Sequence, residues 1–429
     1  MRYKKINNQL FINNRKKFTE RIGSNAIALF NSNDVMPTNA DGTMVFRQNS
    51  DLFYLTGADQ EETILLLYPG AKEDKFREVL FLRETNDHIA VWEGEKLTKE
   101  AAREVTGIQT IFWVQDFDAV LKSLIFDVEE IYLNNNEHTR NASEVETRDD
   151  RFRKKIISEY PLHTVKRAAP IMHELRCVKS DFEIEVMQHA CNLTAQGVQR
   201  VCSFLKPGVM EYEVEAEILH EFIRNGSKGF AYTPIIASGK NACVLHYIQN
   251  NQECKDGDLV LMDFGAEYGN YNSDLTRCFP VNGKFSPRQK EVYNAVLNVM
   301  RQSIEMLVPG NNLVDYHKEV GHLMEEELIK LGLLTANDVK NQNPETPLYK
   351  KYFMHGTSHH IGLDVHDVGN KYKTFEPGMV FTCEPGIYIP NENIGVRIEN
   401  DLVITNGKAK DLMGHIPITV EEIEVAMAK

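Results

Sequence analysis

Cysteine is sparse and unpatterned in this chain. Seven occur in 429 residues, all after residue 176, and no two form a C-x-x-C pair. That argues against a disulfide framework and a thiolate metal site, and it fits a reduced, cytoplasmic protein. Long apolar runs are also missing: nothing approaches the ~18 residues of a membrane span. The first residues are basic (Arg2, Lys4, Lys5) and lead into Asn, Gln and further Lys and Arg. A secretory signal needs an apolar core there, so none is expected. Positive charge is in deficit, with a formal net charge of −14. A nucleic-acid binder needs a basic footprint, and an anionic membrane attracts basic segments, so neither partner is expected. The acidic excess reads as a solubility feature.

What is present is ordinary globular material, 42% apolar and 26% charged, in a length that suggests two or three domains. Residues 1–170 read as an α/β unit. Ala26–Phe30 and Thr63–Tyr68 are candidate buried strands, the second closed by Pro69-Gly70, and Val79–Leu82 is a third short apolar run. Charged clusters over 137–160 suggest a solvated helix. Pro170 marks the expected boundary, with a second unit over 171–429.

The second unit opens with Ser180-Asp181-Phe182-Glu183, the spacing of a capping box. The helix it starts runs to the turn Leu205-Lys206-Pro207-Gly208. Another long helical stretch from Pro287 ends at Leu307-Val308-Pro309-Gly310, the same L-x-P-G form. Gly257–Asp263 likewise matches Gly378–Glu384: after a glycine turn, an apolar strand ends in a carboxylate. The unit therefore reads as two related halves, each helix–helix–hairpin, although common local patterns can produce such a match by coincidence.

Asp263 and Asp274 flank a Gly-, Tyr- and Asn-rich segment that reads as strand–turn–strand, a geometry that sets residues face to face. Glu384 and Glu399 flank a similar segment, and Arg397 shares a strand face with Glu399. Four carboxylates on one sheet face repel unless positive charge lies between them. Two divalent cations supply it, and oxygen-rich ligation with one imidazole suits Mn²⁺ better than thiolate-type zinc. The imidazole is expected from the segment His355–Asp367, which holds His355, His359, His360 and His366. It is not the H-E-x-x-H pattern of helical zinc peptidases.

With these residues in place, the second unit resembles the pita-bread metallopeptidases, and the whole chain is most similar to their aminopeptidase P (Xaa-Pro aminopeptidase) branch. The resemblance is carried by Arg47–Asp51, Phe53–Gly57, His173–Arg176, the His355–His366 segment, Glu384-Pro385-Gly386 and Arg397-Ile398-Glu399. It implies an α/β N-terminal domain and an α+β C-terminal pita-bread domain with an internal pseudo-two-fold repeat. It implies two divalent ions, with Asp263 chelating one, Asp274 and Glu399 bridging both, and His359 and Glu384 completing the set. It implies that His246 and His366 steady the substrate carbonyl, and that His355, Tyr388 and Arg397 shape the proline pocket. Asp41 and Trp92 correspond to residues offered to a neighbouring subunit, implying a homo-oligomer, dimer or tetramer. Trp92 could equally be a packing residue. The loop between Tyr388 and Arg397 is shorter than in some relatives.

The implied chemistry is hydrolysis of the bond before proline, with Glu384 moving a proton from water to the leaving nitrogen. An Xaa-Pro bond lacks an N–H and has a weak trans preference, so a pocket can select it by shape. Three functions remain open on the sequence: an Xaa-Pro aminopeptidase, a prolidase limited to Xaa-Pro dipeptides, and a non-catalytic binding protein on the same scaffold.

Overall fold

Residues 2–428 are described by a computed structural model, and they divide into two units. One is Lys5–Arg176; the other is 177–428 together with residues 2–4. The division falls six residues beyond the boundary expected at 170. Pro170 does not separate elements; it sits in the first turn of a helix, where its missing N–H costs nothing.

In the N-terminal unit the elements are α1 (Gln9–Thr19), β1 (Ala26–Asn31), α2 (Ser50–Thr56), β2 (Ile64–Leu67), β3 (Glu78–Leu82), α3 (Asp87–Glu93), α4 (Lys99–Thr106), β4 (Thr110–Trp113), α5 (Phe117–Leu124), β5 (Glu130–Leu133), α6 (Arg148–Glu159), β6 (Thr164–Arg167) and α7 (Ala169–Cys177). The strands form one mixed sheet in the order β4-β3-β2-β1-β5-β6. The three expected strands are its centre. One face is packed by Ile27, Leu29, Ile131 and Leu133 against Phe117, Leu121 and Ile156 of α5 and α6. Arg15 of α1 is fully buried and donates to Leu55 O and Thr106 O at the last turns of α2 and α4 (2.8 and 2.9 Å), where helix carbonyls favour a cation.

The helix expected over 137–160 is only α6. Upstream, Asn136 and Asn141 accept from the backbone N–H of His138 and Ser143. Such local bonds compete with helix formation, and the helix begins only where Thr147 and Asp150 form a capping box.

The second unit contains α8 (Asp181–Phe204), α9 (Glu211–Arg224), β7 (Ile235–Ser238), β8 (Leu259–Asp263), β9 (Glu267–Tyr268), β10 (Tyr271–Asn272), β11 (Thr276–Pro280), α10 (Pro287–Glu305), α11 (Leu313–Lys330), α12 (Ala336–Asn341), β12 (Val380–Cys383), β13 (Gly386–Ile389), β14 (Ile394–Arg397), β15 (Asn400–Val403), β16 (Lys410–Asp411) and α13 (Val420–Met427). The capping box at Ser180 forms, its backbone N–H donating to Glu183 at 2.8 Å. The two halves repeat. Each has two helices, then a long antiparallel strand pair (β8–β11, β12–β15) with a small hairpin inserted (β9–β10, β13–β14). Beside β12, where β7 flanks β8 in the first half, runs the histidine segment: His360 bridges Phe381, and Thr382 N–H donates to His359 O.

In the first half the expected geometry is corrected. Thr276, not Asp274, lies opposite Asp263, and Asp274 sits two residues before β11. In the second half Cys383 pairs with Asn400, so Glu384 and Glu399 continue that register one step past the end of their ladder, opposite each other as expected. The return from β8 passes so close that a Cβ on Gly265 would lie 1.7 Å from Ser273 O, which only glycine allows.

Asp149 of α6 is buried against Asn31, whose amide donates to it at 2.9 Å. Burial, only partly offset by that bond, raises its carboxyl to about 7. The folded state thus keeps a proton that the unfolded chain, near the usual ~3.9, releases. Its contribution is fully present below about pH 4 and is lost as pH rises through about 7. Asp149→Asn is expected to be more stable than the parent by a margin that widens from pH 5 to pH 8 in urea unfolding. A margin independent of pH would contradict the assignment.

Candidate metal centre

The centre is assembled from ends of strands, not from their middles. β8 delivers Asp263 at its last residue, the loop before β11 delivers Asp274, the segment beside β12 delivers His359, and Glu384 and Glu399 stand just outside the β12–β15 ladder. Donor atoms of Asp274, His359 and Glu399 all lie within 4.8 Å of one another. His359 Nε2 is 3.5 Å from Asp274 and 3.8 Å from Glu384.

Among the described residues, no group fully neutralises these four carboxylates, of which Asp274 and Glu399 are buried and Asp263 and Glu384 partly buried. Burial raises the carboxyls of Asp263 and Glu399, the latter well above the usual range, and takes Glu384 to about 7; the neighbouring carboxylates add to each shift. Burial opposes a charge on His359, but the hydrogen bond to Asp274 and the charge of Glu384 outweigh it and hold the imidazole at about 9. Arg277 donates to the backbone carbonyl of Glu399, while among the described residues the guanidinium that bonds a carboxylate of the cluster is that of Arg397. Its Nη2 meets Asp263 at 2.5 Å, its Nη1 donates to Tyr388 Oη at 2.7 Å, and its Nε donates to Thr276 Oγ1 at 3.1 Å. Thr276 in turn donates to Glu399 at 2.7 Å.

The donor set fits divalent cations. Four carboxylates offer hard oxygen ligands, and the geometry prepares the imidazole: His359 Nδ1 lies 3.0 Å from His360 O and donates to it, which leaves Nε2, facing the carboxylates, as the atom that would ligate once a cation displaces its proton. Asp263, Asp274, His359, Glu384 and Glu399 are the residues that would hold them.

Beside the centre lies a second network. His355 Nδ1 is 2.8 Å from Gly356 O and must donate to it, so Nε2 accepts from Tyr388 Oη at 2.8 Å while Arg397 donates to that same oxygen. Burial, Arg397 and the nearby His317 and His246 push the His355 imidazole down to about 3, consistent with this neutral tautomer. Tyr388 and Arg397 are buried, whereas His246 and His366 are exposed. The His366 ring stands 4.4 Å from that of His359, edge to face. Asp41 and Trp92 belong to the N-terminal unit. Asp41 is exposed in the turn closed by the Pro37–Thr43 bridge, and Trp92 on α3 is 77% exposed, its ring 6.4 Å from that of His88.

Residues outside the expected set also hold the site. The Tyr232 hydroxyl bonds to both Asp263 and Asp274. Asp401 is fully buried and accepts from the Asp274 N–H at 3.1 Å. Lys179 and Asp367, each 1% exposed, pair at 3.0 Å, and Asp367 N–H donates to His360 O, closing the loop between His359 and His366. The only local signal for any of these is the acid at Asp367, next to His366.

The chain belongs to metallopeptidase family M24, whose model matches residues 185–406, and its residues 11–132 match the N-terminal domain of aminopeptidase P. It is therefore a metal-dependent hydrolase with the pita-bread fold. It is 36% identical to the Xaa-Pro aminopeptidase of Escherichia coli over 98% of both chains, and 35% identical to that of Haemophilus influenzae over 99% of this chain and 98% of the relative. An alanine variant of Escherichia coli aminopeptidase P, solved in complex with substrate, superposes with a TM-score of 0.88 at 34% identity over 99% of each chain.

Removing one partner of a buried ion pair leaves an unpaired charge and typically costs ~3–5 kcal/mol. Lys179→Met is expected to lose that order of stability in urea unfolding, and Lys179→Met with Asp367→Asn to recover part of it. A single variant as stable as the parent would show that the pair does not hold this loop.

Proposed function

We propose that this protein removes the N-terminal residue from peptides whose second residue is proline. The observation that carries the reading is a complete donor set, Asp263, Asp274, His359, Glu384 and Glu399, set directly against the His355–Tyr388–Arg397 network. The likeness to Xaa-Pro aminopeptidases along nearly the whole chain favours this over a dipeptide-only prolidase. A binding protein on a disabled scaffold would be expected to have lost ligand types, and all five are kept.

The division of labour follows from the positions. Divalent cations at the centre supply Lewis acidity and make water acidic enough to react near neutral pH. Glu384 is placed to take the proton of the attacking water and deliver it to the proline nitrogen, which leaves as an amine and needs that proton. His246 and His366, on the open side, meet the carbonyl oxygen as charge develops on it. The neutral, partly buried His355 and the phenol of Tyr388, fixed by Arg397, form a rigid wall against which a proline ring packs without needing an N–H partner.

We further propose Mn²⁺ as the working ion, because hard oxygen donors predominate. The expected outcome is cleavage of Xaa-Pro-Yaa tripeptides by Mn²⁺-loaded protein, little action on Xaa-Pro dipeptides, reversible loss with a chelator, and weaker restoration by Zn²⁺. Glu384→Gln should lower kcat by roughly 10²–10⁴. Tripeptides left intact beside cleaved dipeptides would replace this reading with prolidase; no turnover and no bound metal after reconstitution would favour the binding protein.

The protein is proposed to be cytoplasmic and to act as a homo-oligomer, with Asp41 and Trp92 reaching a neighbouring subunit. The exposed Val91 and Trp92 of α3, and Met44 and Val45 near Asp41, are apolar surface that such an interface would cover. Light scattering should give a mass of two or four chains, and Trp92→Ala should lower peptide turnover with bound metal unchanged. A monomer with full activity would exclude this arrangement.

A further inference from the structure

His246 is exposed, and among the described residues its imidazole makes no hydrogen bond, ion pair or ring contact. It nonetheless lies close enough to lower the proton affinity of His355. It sits between β7 and β8, in a turn that belongs to no strand. The segment that carries it is anchored from elsewhere in the fold.

That anchor is a single buried carboxylate. Glu211, the first residue of α9, is 0% exposed. Its Oε1 accepts from Ser238 N–H at 2.8 Å and from the Asn241 amide at 3.1 Å. Its Oε2 accepts from Tyr247 Oη at 2.6 Å and from Gln252 N–H at 2.9 Å. Its own N–H donates to Gln252 O. The start, middle and end of residues 238–252 thus converge on one side chain. A carboxylate has about four lone-pair sites, and all are filled, which is what makes its burial tolerable. The first turn of a helix also favours negative charge.

We propose that Glu211 is a positioning residue for peptide hydrolysis, acting through Tyr247 to hold His246 toward the substrate. Closing the segment needs only its two ends. The bond to Tyr247 does something else: it draws the buried phenol next to His246 inward. Adjoining side chains leave the backbone in different directions, so His246 is left facing outward. A glutamine at 211 cannot replace the carboxylate, because its amide N–H groups would face the donors on one side.

The inference rests on the role given above to His246, and the test separates the two. Tyr247→Phe, Glu211→Gln and His246→Ala are compared singly, and the first two again in the His246→Ala background. The readouts are kcat and KM for an Xaa-Pro-Yaa tripeptide with Mn²⁺, bound metal per chain, and Tm. Tyr247→Phe is expected to lower kcat about tenfold, with KM and bound metal unchanged, the scale of a catalytic group displaced by a fraction of an ångström. In the His246→Ala background the same change should alter kcat less than about twofold, since groups acting as a unit are non-additive. Glu211→Gln should follow the same pattern with a larger loss; if it does not fold, the Tyr247→Phe pair still decides. An unchanged kcat for Tyr247→Phe, or an equal loss in both backgrounds, would overturn the positioning role. A fully active His246→Ala would overturn the role of His246 itself and the inference with it.

Discussion

Four buried or partly buried carboxylates within reach of one another are the constraint that the catalytic unit is built around. Each carries a desolvation penalty of several kcal/mol unless it is paired and hydrogen-bonded. The protein answers with one guanidinium, one imidazole and the shared Tyr232 hydroxyl, and still leaves negative charge in excess. That excess is what attracts cations. Its surroundings are rigid for the same reason. Arg397 has its donors committed to Asp263, Tyr388 and Thr276, Thr276 is committed to Glu399, and Asp274 is held by Asp401. If the donors were free to separate, they would relax apart and the affinity for cations would fall.

Outside this rigid centre, the histidines that face the open side stand on loops, and a buried carboxylate ties each loop down. Asp367 does so for His366 through Lys179, and Glu211 for the segment of His246. The two solutions differ: one is an ion pair, the other a set of neutral donors. Both keep exposed rings on a fixed backbone.

Much of the centre was legible in the sequence because ligand chemistry resides in residue type. Asp263, Asp274, Glu384 and Glu399 stood out by their paired spacing, and His359 by its cluster. The repeat was legible through the twin L-x-P-G turns and the two strands ending in acid. Tyr232, Asp401, Lys179 and Glu211 were not, because each acts on a partner dozens to nearly two hundred residues away and nothing beside it in the chain hints at one. The face-to-face pairing of Asp263 with Asp274 was misread for a similar reason: a whole β9–β10 hairpin lies between them, and spacing alone cannot tell a turn from a turn containing a hairpin. Over 137–147 the charge pattern suggested a helix, but asparagine side chains captured the backbone first.

The two halves exchange their key bonds across more than a hundred residues: Thr276 with Glu399, Asp274 with Asp401, Asp263 with Arg397. On the ribosome, the first half emerges carrying Asp263 and Asp274 long before Arg397 and His359 exist. Its strand ends must therefore wait, solvated and mutually repelling, until the last quarter of the chain arrives. Such non-local closure is slow compared with forming α8 and α9. The centre is thus among the last features to form during synthesis, and a chain cut short before Glu399 lacks one of the donor carboxylates and the Asp401 that holds Asp274.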